Sequence, residues 1–166
     1  MTGIIFRGFE RDNFSVVKFY IARANRIVPA LGVFCLTILI FGFFFLTPIE
    51  FKALGKDVGS SMVFFSNFVY WNDSGYIDEK SRANWLLHTC SLSVEWQFYL
   101  LYPLVLVIMK SLMSSKLIKL TLFFGTVLGF IFCIIVSYKW ASSAYYLLPA
   151  RAWEMMMGGL AFLLPF

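Results

Sequence analysis

Long uncharged stretches alternate along the chain with short charged ones, and their lengths predict helices on the scale of a bilayer. Ile27 to Thr47 runs twenty-one residues without a charge; at about 1.5 Å per residue a helix of that length covers about 30 Å, the thickness of a hydrocarbon core. The pattern predicts a transmembrane helix over 27–47. Leu120 to Tyr138 is equally free of charge up to Lys139, and Gly125 and Gly129 at four-residue spacing would admit a close neighbour. This predicts a second span over 120–138. Two further runs are long enough but carry charge: 91–109 contains Glu95, and 145–166 contains Arg151 and Glu154. The stretch Val58 to Trp71 is too short for a full crossing and half polar through Gly59, Ser60, Ser61, Ser66 and Asn67. It reads as a short or re-entrant segment over 58–71. The expected fold class is therefore all-α: a polytopic transmembrane helix bundle of about four full spans plus one short or re-entrant segment.

The basic residues orient this arrangement. Residues 1–26 carry Arg7, Arg11, Lys18, Arg23 and Arg26 against Glu10 and Asp12, and the 110–119 connection carries Lys110, Lys116 and Lys119. The positive-inside rule assigns both to the cytoplasm. A re-entrant 58–71 satisfies that rule and leaves 72–90, with Asp73, Asp78 and Glu79 against Lys80 and Arg82, outside. Phe14 to Arg26 reads as an interfacial helix within a cytoplasmic basic segment 1–26. Met1 to Phe6 is a short apolar stub followed at once by charge, unlike a secretory signal.

Composition supports the bilayer as solvent. Of 166 residues, 60% are hydrophobic and 14% charged, where a soluble domain carries roughly 25% charged residues. The net charge of +5 could suggest nucleic acid, but the bases flank apolar runs and nucleic acid is not an expected partner. Cys35, Cys90 and Cys133 form no pair or CxxC, and one histidine without clustered carboxylates falls short of a metal site. No metal and no permanently bound cofactor is expected.

At about 100° per residue His88, Ser91, Glu95, Tyr99 and Tyr102 fall within one narrow stripe. A carboxylate at mid-bilayer costs about 2.5–3.5 kcal/mol, so Glu95 should face a cavity or a partner. One reading makes it a lining residue of a site. The other pairs it with Arg151 to hold two helices together. His88 at a helix end equally suits a cap or a headgroup contact. Pro103 removes the hydrogen bond to the Tyr99 carbonyl and frees an acceptor beside the stripe. Arg151 and Glu154 stand at i, i+3 with Gly158 on the same face, where they could neutralise one another. With 72–90 outside, His88 and Glu95 share a depth with Arg151 and Glu154, which suggests a single polar cavity. Arg23 and Arg26, one turn apart, suit a phosphate or pyrophosphate gripped from two sides, against the simpler reading of positive-inside anchoring.

Three blocks in this order, FYIARANRIVPAL, LLHTCSLSVEWQFYLLYPL and PARAWEMMMGGL, with FFSNFVYW and SGYID between them, resemble the integral-membrane acyltransferase family 3, which includes bacterial O-antigen acetylases. The resemblance runs from Met1 through Phe166. It implies a multi-pass protein of the bacterial inner membrane that moves an acyl group, usually acetyl, from cytoplasmic acyl-CoA to a carbohydrate hydroxyl on the other side. Acetyl-CoA would be the donor substrate, and a cell-surface polysaccharide such as the O-antigen of lipopolysaccharide, or a lipid-linked glycan, the acceptor. By the same resemblance Arg23 and Arg26 match the paired-arginine motif associated with the donor. His88, Ser91, Ser93, Glu95 and Gln97 match the HTWSLSVE-x-QFY stretch, and Arg151 and Glu154 match a later arginine and glutamate. The catalytic candidates are thus His88, Glu95, Arg151 and Glu154. O-acyl transfer needs a base for the hydroxyl proton and donors for the oxyanion, which these residue types can supply.

Two departures qualify the resemblance. Cys90 stands where the family usually has tryptophan. Met1-Thr2-Gly3 aligns with the end of the family's second helix, so the first helix with its catalytic histidine, and the helices after Phe166, are expected to lie outside this sequence. The implied object is a central fragment whose first partners are membrane lipid and the remaining helices of the full-length enzyme. The alternatives are a transporter or flippase of acyl or lipid-linked sugar groups, to which a mid-membrane carboxylate and broken helices are also suited, and an inactive remnant.

Overall fold

A computed structural model describes residues 2–10, 14–73 and 86–163, which form eight helices and no strand. They are α1 (Thr2–Glu10), α2 (Val16–Phe45), α3 (Pro48–Met62), α4 (Ser66–Asp73), α5 (Leu87–Leu112), α6 (Ser115–Lys139), α7 (Ala141–Tyr146) and α8 (Leu148–Leu163). Three of them, α2, α5 and α6, are long and apolar enough to cross a membrane. The chain is an all-α membrane helix bundle.

Two expected boundaries move. The expected interfacial helix and the first span are one 30-residue helix, α2, capped by Ser15, whose hydroxyl accepts from the Lys18 amide at 3.4 Å. No helix breaker lies between Val16 and Val28 and the helix continues through Pro29, so Arg23 and Arg26 become residues of the spanning helix. Pro29 lies inside α2 and leaves the Asn25 carbonyl, between the two arginines, without its helical partner. The run 145–166 is likewise not one helix. Pro149 can neither donate to the Tyr145 carbonyl nor avoid clashing with it, so α7 ends at Tyr146, Leu147 is extended, and α8 starts afresh. Its 16 described residues cover about 24 Å. Residues 164–166 of that expected span lie outside the described residues.

The segment 58–71 divides between two helices that form a hairpin along α5. Thr47 and Glu50 make a reciprocal capping box ahead of Pro48, which starts α3 sharply after α2. α3 then packs back along α2 at Gly42, where a Cβ would meet Leu54 Cδ2 at 2.6 Å. It ends in a Schellman turn: the Phe65 amide donates to the Ser60 carbonyl at 2.8 Å and the Phe64 amide to that of Ser61 at 3.0 Å. Phe64 sits at φ 56°, a left-handed conformation that costs a side-chain-bearing residue about 1–2 kcal/mol. Its buried ring stacks on Trp96 at 4.6 Å and 17°, which offsets that cost. α4 returns toward the end from which α3 came, and the Trp71 indole donates to Ser143 of α7 at 3.0 Å.

The strain and the stacking at Phe64 separate by mutation. Phe64→Ala loses the ring and keeps the strained backbone, whereas Phe64→Gly loses the ring and relieves the strain. Thermal unfolding in detergent should rank wild type above Phe64→Gly and Phe64→Ala lowest, the two variants about 1–2 kcal/mol apart. Equal midpoints would show that the turn carries no such strain.

α6 and α8 share the most extensive helix contact in the fold. Gly125 faces Met156 and Gly129 faces Trp153, where added Cβ atoms would meet side-chain carbons at 3.2 and 3.1 Å. α8 runs parallel to α5, with Arg151 level with Ser91 and Gly159 level with Tyr102. α1 lies against α8; Ile5 is fully buried, and Thr2 and Tyr102 share a hydrogen bond at 2.9 Å. The Lys110 ammonium donates to the Phe9 carbonyl at 2.8 Å, so the end of α1 and the basic end of α5 lie together. Arg11, Asp12 and most of the expected outer segment, with Asp78, Glu79, Lys80, Arg82 and the SGYID block, lie outside the described residues, as does the side chain of Asp73.

Candidate active site along helix α5

Helix α5 carries two polar rows at four-residue spacing, Thr89-Ser93-Gln97 and Ser91-Glu95-Tyr99, about 160° apart around its axis. The first row is closed by the hairpin. Thr89 bonds Ser61 at 2.7 Å and Ser93 bonds Ser66 at 2.8 Å. The Gln97 amide donates to Asn67 Oδ1 at 2.9 Å and to the Phe64 carbonyl at 3.2 Å. The Asn67 amide in turn donates to Gln97 Oε1 at 3.3 Å and to the Tyr146 carbonyl at 3.2 Å. Buried polar groups so thoroughly paired are a structural seam. Ser93 and Gln97, which match the family's HTWSLSVE-x-QFY stretch, therefore hold the hairpin. The available signal was the four-residue spacing itself, matched by Ser61, Ser66 and Asn67 in the neighbouring segment.

The second row is open and holds the ionisable groups. Glu95 is exposed on the described bundle and Tyr99 is half-buried. The Tyr99 hydroxyl lies beside the Glu95 carboxylate one turn away, with Arg23 and Arg26 as the basic groups within electrostatic reach. Antiparallel packing of α2 brings the arginines there. The Tyr20 hydroxyl donates to the Leu100 carbonyl at 2.6 Å, and the Arg23 guanidinium sits over both the Phe19 ring at 5.5 Å and the Tyr99 ring at 5.4 Å. Two aromatic faces thus hold Arg23 in place, while Arg26, one turn on, is exposed.

The pairing of Glu95 with Arg151 is not formed. Arg151 donates from Nη1 to Ser91 Oγ at 2.9 Å, bridges Glu154 at 3.5 Å and lies over the Tyr145 ring at 5.8 Å. The reason is level along the bundle: Arg151 opens α8 beside the first turns of α5 and meets Ser91, a turn short of Glu95. The candidate residues therefore form two groups stacked along α5, Ser91 with Arg151 and Glu154, then Glu95 and Tyr99 with Arg23 and Arg26. They do not form the single cavity expected from Glu95 and Arg151 together. His88 belongs to neither group; it is exposed in the first turn of α5. Tyr102, within the stripe by angle, is buried against Thr2, so the open row ends at Tyr99.

A carboxylate beside a phenol and two guanidinium groups can accept a proton, donate to a developing oxyanion and hold a phosphate-class anion. Beside Tyr99 a cleft of about 270 Å³ opens between α1, α5 and α8, lined also by Thr2, Phe98, Tyr102, Met155, Gly158 and Gly159. No group of three His, Cys, Asp or Glu side chains among the described residues is placed to hold a metal ion.

No family model and no solved structure matches the chain. It is 32% identical over 171 residues to an uncharacterized protein of Haemophilus influenzae, covering 96% of this chain and 68% of that protein. It is 29% identical over 175 residues to the peptidoglycan O-acetyltransferase OatA of Listeria monocytogenes, covering 100% of this chain and 28% of the enzyme. A protein of Komagataeibacter xylinus named as a membrane-bound transacylase, BcsY, is 25% identical over 154 residues, with 92% of this chain and 39% of that protein aligned. The chain thus spans less than two fifths of the length of either named relative.

Proposed function

From the premise that this chain belongs to one family with the Haemophilus influenzae protein, a membrane acyltransferase family by the names of its further relatives, we propose that it belongs to a membrane O-acyltransferase of the family 3 type, acting in the bacterial inner membrane. It transfers acetyl from acetyl-CoA to a hydroxyl of a cell-surface glycan. The observation that carries this reading is the junction of Arg23, Tyr99 and Glu95 across α2 and α5, which joins an anion grip to a carboxylate within one helical turn.

In this reading Arg23 and Arg26 hold phosphates of the donor, with Arg23 pre-oriented by its two rings. Glu95 accepts the proton of the glycan hydroxyl as its oxygen attacks the thioester carbonyl, and the Tyr99 hydroxyl donates to the oxygen on which charge develops. The new C–O ester bond forms, the C–S bond breaks, and the thiolate leaves and takes up a proton. Arg151, oriented by Ser91 and Glu154, offers donors to the acceptor sugar a turn away. His88 is left without a role.

Acetyl transfer from labelled acetyl-CoA in membranes containing the full protein tests this, with lipopolysaccharide and peptidoglycan as parallel acceptors. Label is expected in one glycan. Neither label nor thioester cleavage would overturn the reading in favour of a transporter, for which the broken hairpin α3–α4 is the supporting observation.

A further inference from the structure

The cleft beside Tyr99 and the anion grip have that one aromatic residue in common. Tyr99 carries the Arg23 guanidinium over it and also forms part of the cleft wall, so the acyl end of a donor held at Arg23 enters this space when the flexible arm between its phosphates and its thioester folds back. The remaining wall is mixed, with apolar side chains that a short acyl chain can touch. Phe98 and Met155 are apolar, and the two hydroxyls present, of Thr2 and Tyr102, satisfy one another at 2.9 Å. At roughly 30 Å³ per water, about 270 Å³ corresponds to about nine water volumes, more than the few heavy atoms of an acetyl group require.

The two adjacent glycines of α8 differ in what they do there. At Gly159 a Cβ would run into the Thr2 hydroxyl and come within 3.0 Å of the Tyr102 hydroxyl, so that glycine permits close packing of α1, α5 and α8. At Gly158 a Cβ would meet nothing within 4 Å. Packing does not require a glycine at 158, yet the position lines the cleft. We propose that this cleft receives the acyl group of the donor, and that Gly158 keeps it deep enough for acyl groups longer than acetyl. The proposal rests on the acyl-transfer reading above and adds to it the chain-length range of the donor.

Its test is the ratio of butyryl to acetyl transfer when butyryl-CoA and acetyl-CoA compete in membranes containing the full protein. Wild type is expected to transfer both. Gly158→Leu, which fills the cleft, should lower the ratio by about tenfold or more, and Met155→Ala, which enlarges it, should raise it. A ratio removes differences in protein amount, and opposite shifts in two variants do not arise from general destabilisation. A wild-type protein that transfers acetyl alone overturns the proposal. So does an unchanged ratio in Met155→Ala, even where Gly158→Leu does not accumulate. No acyl transfer from either donor would instead overturn the parent reading.

Discussion

Replacing Arg23 and Arg26 together by alanine is expected to reduce acetyl transfer by about 10²–10⁴-fold. Hydrogen bonds to charged groups contribute about 1.5–3 kcal/mol each, and two lost contacts sum to about 3–6 kcal/mol at about 1.4 kcal/mol per factor of ten. The two positions should not be equivalent. Arg23 lies over two rings and Arg26 is exposed, so Arg23→Lys gives up a planar stacked guanidinium that Arg26→Lys does not. The single lysine variants should therefore rank with Arg23→Lys the more impaired, chiefly as a raised KM for the acyl donor. A double alanine variant with an unchanged transfer rate would remove these residues from the donor site and leave positive-inside anchoring as their role.

Substitution of Glu95 by glutamine should cost about 10²–10⁴-fold in transfer, the range for removing a positioned general base, with little change in thermal stability because its carboxylate is open and unburied. Gln97→Leu, two residues further on, should do the reverse. It removes the donors to Asn67 and the Phe64 carbonyl and leaves Asn67 half-paired in a buried seam. Interhelical side-chain bonds average about 0.6 kcal/mol in membranes, and the unpaired amide adds about 1–3 kcal/mol. A lowered unfolding midpoint with near-normal turnover per folded molecule is the expected pattern. Should Gln97→Leu abolish turnover while Glu95→Gln leaves it intact, the chemistry would belong to the other row of α5.

These two predictions separate neighbours that sequence alone leaves together. In the run HTCSLSVEWQFY the polar residues of both rows of α5 are interleaved, and helical periodicity collects Ser91, Glu95 and Tyr99 on one face without saying what packs there. It also admits Tyr102 by angle, although Tyr102 is buried against Thr2. The arginines show the same limit. Their one-turn spacing was legible, but their place beside Glu95 depends on α2 packing antiparallel to α5, and the local pattern suggested a separate interfacial helix.

What the sequence by itself determined is the solvent and the main spanning elements. Uncharged runs of bilayer length can only bury their backbone polar groups as helices, and the paired glycines of α6 mark the face on which α8 packs. Local chemistry likewise sets the capping box at Thr47 and the break ahead of Pro149, although the length of the run 145–166 predicted a single helix there. Only the tertiary structure decided which row of α5 is sealed by the hairpin, and that Arg151 meets Ser91 and Glu154 while Glu95 lies with Tyr99 and the arginines of α2. Angular position on a helix is a local property of about 100° per residue, whereas the level at which two helices meet depends on the packing of residues distant in the chain.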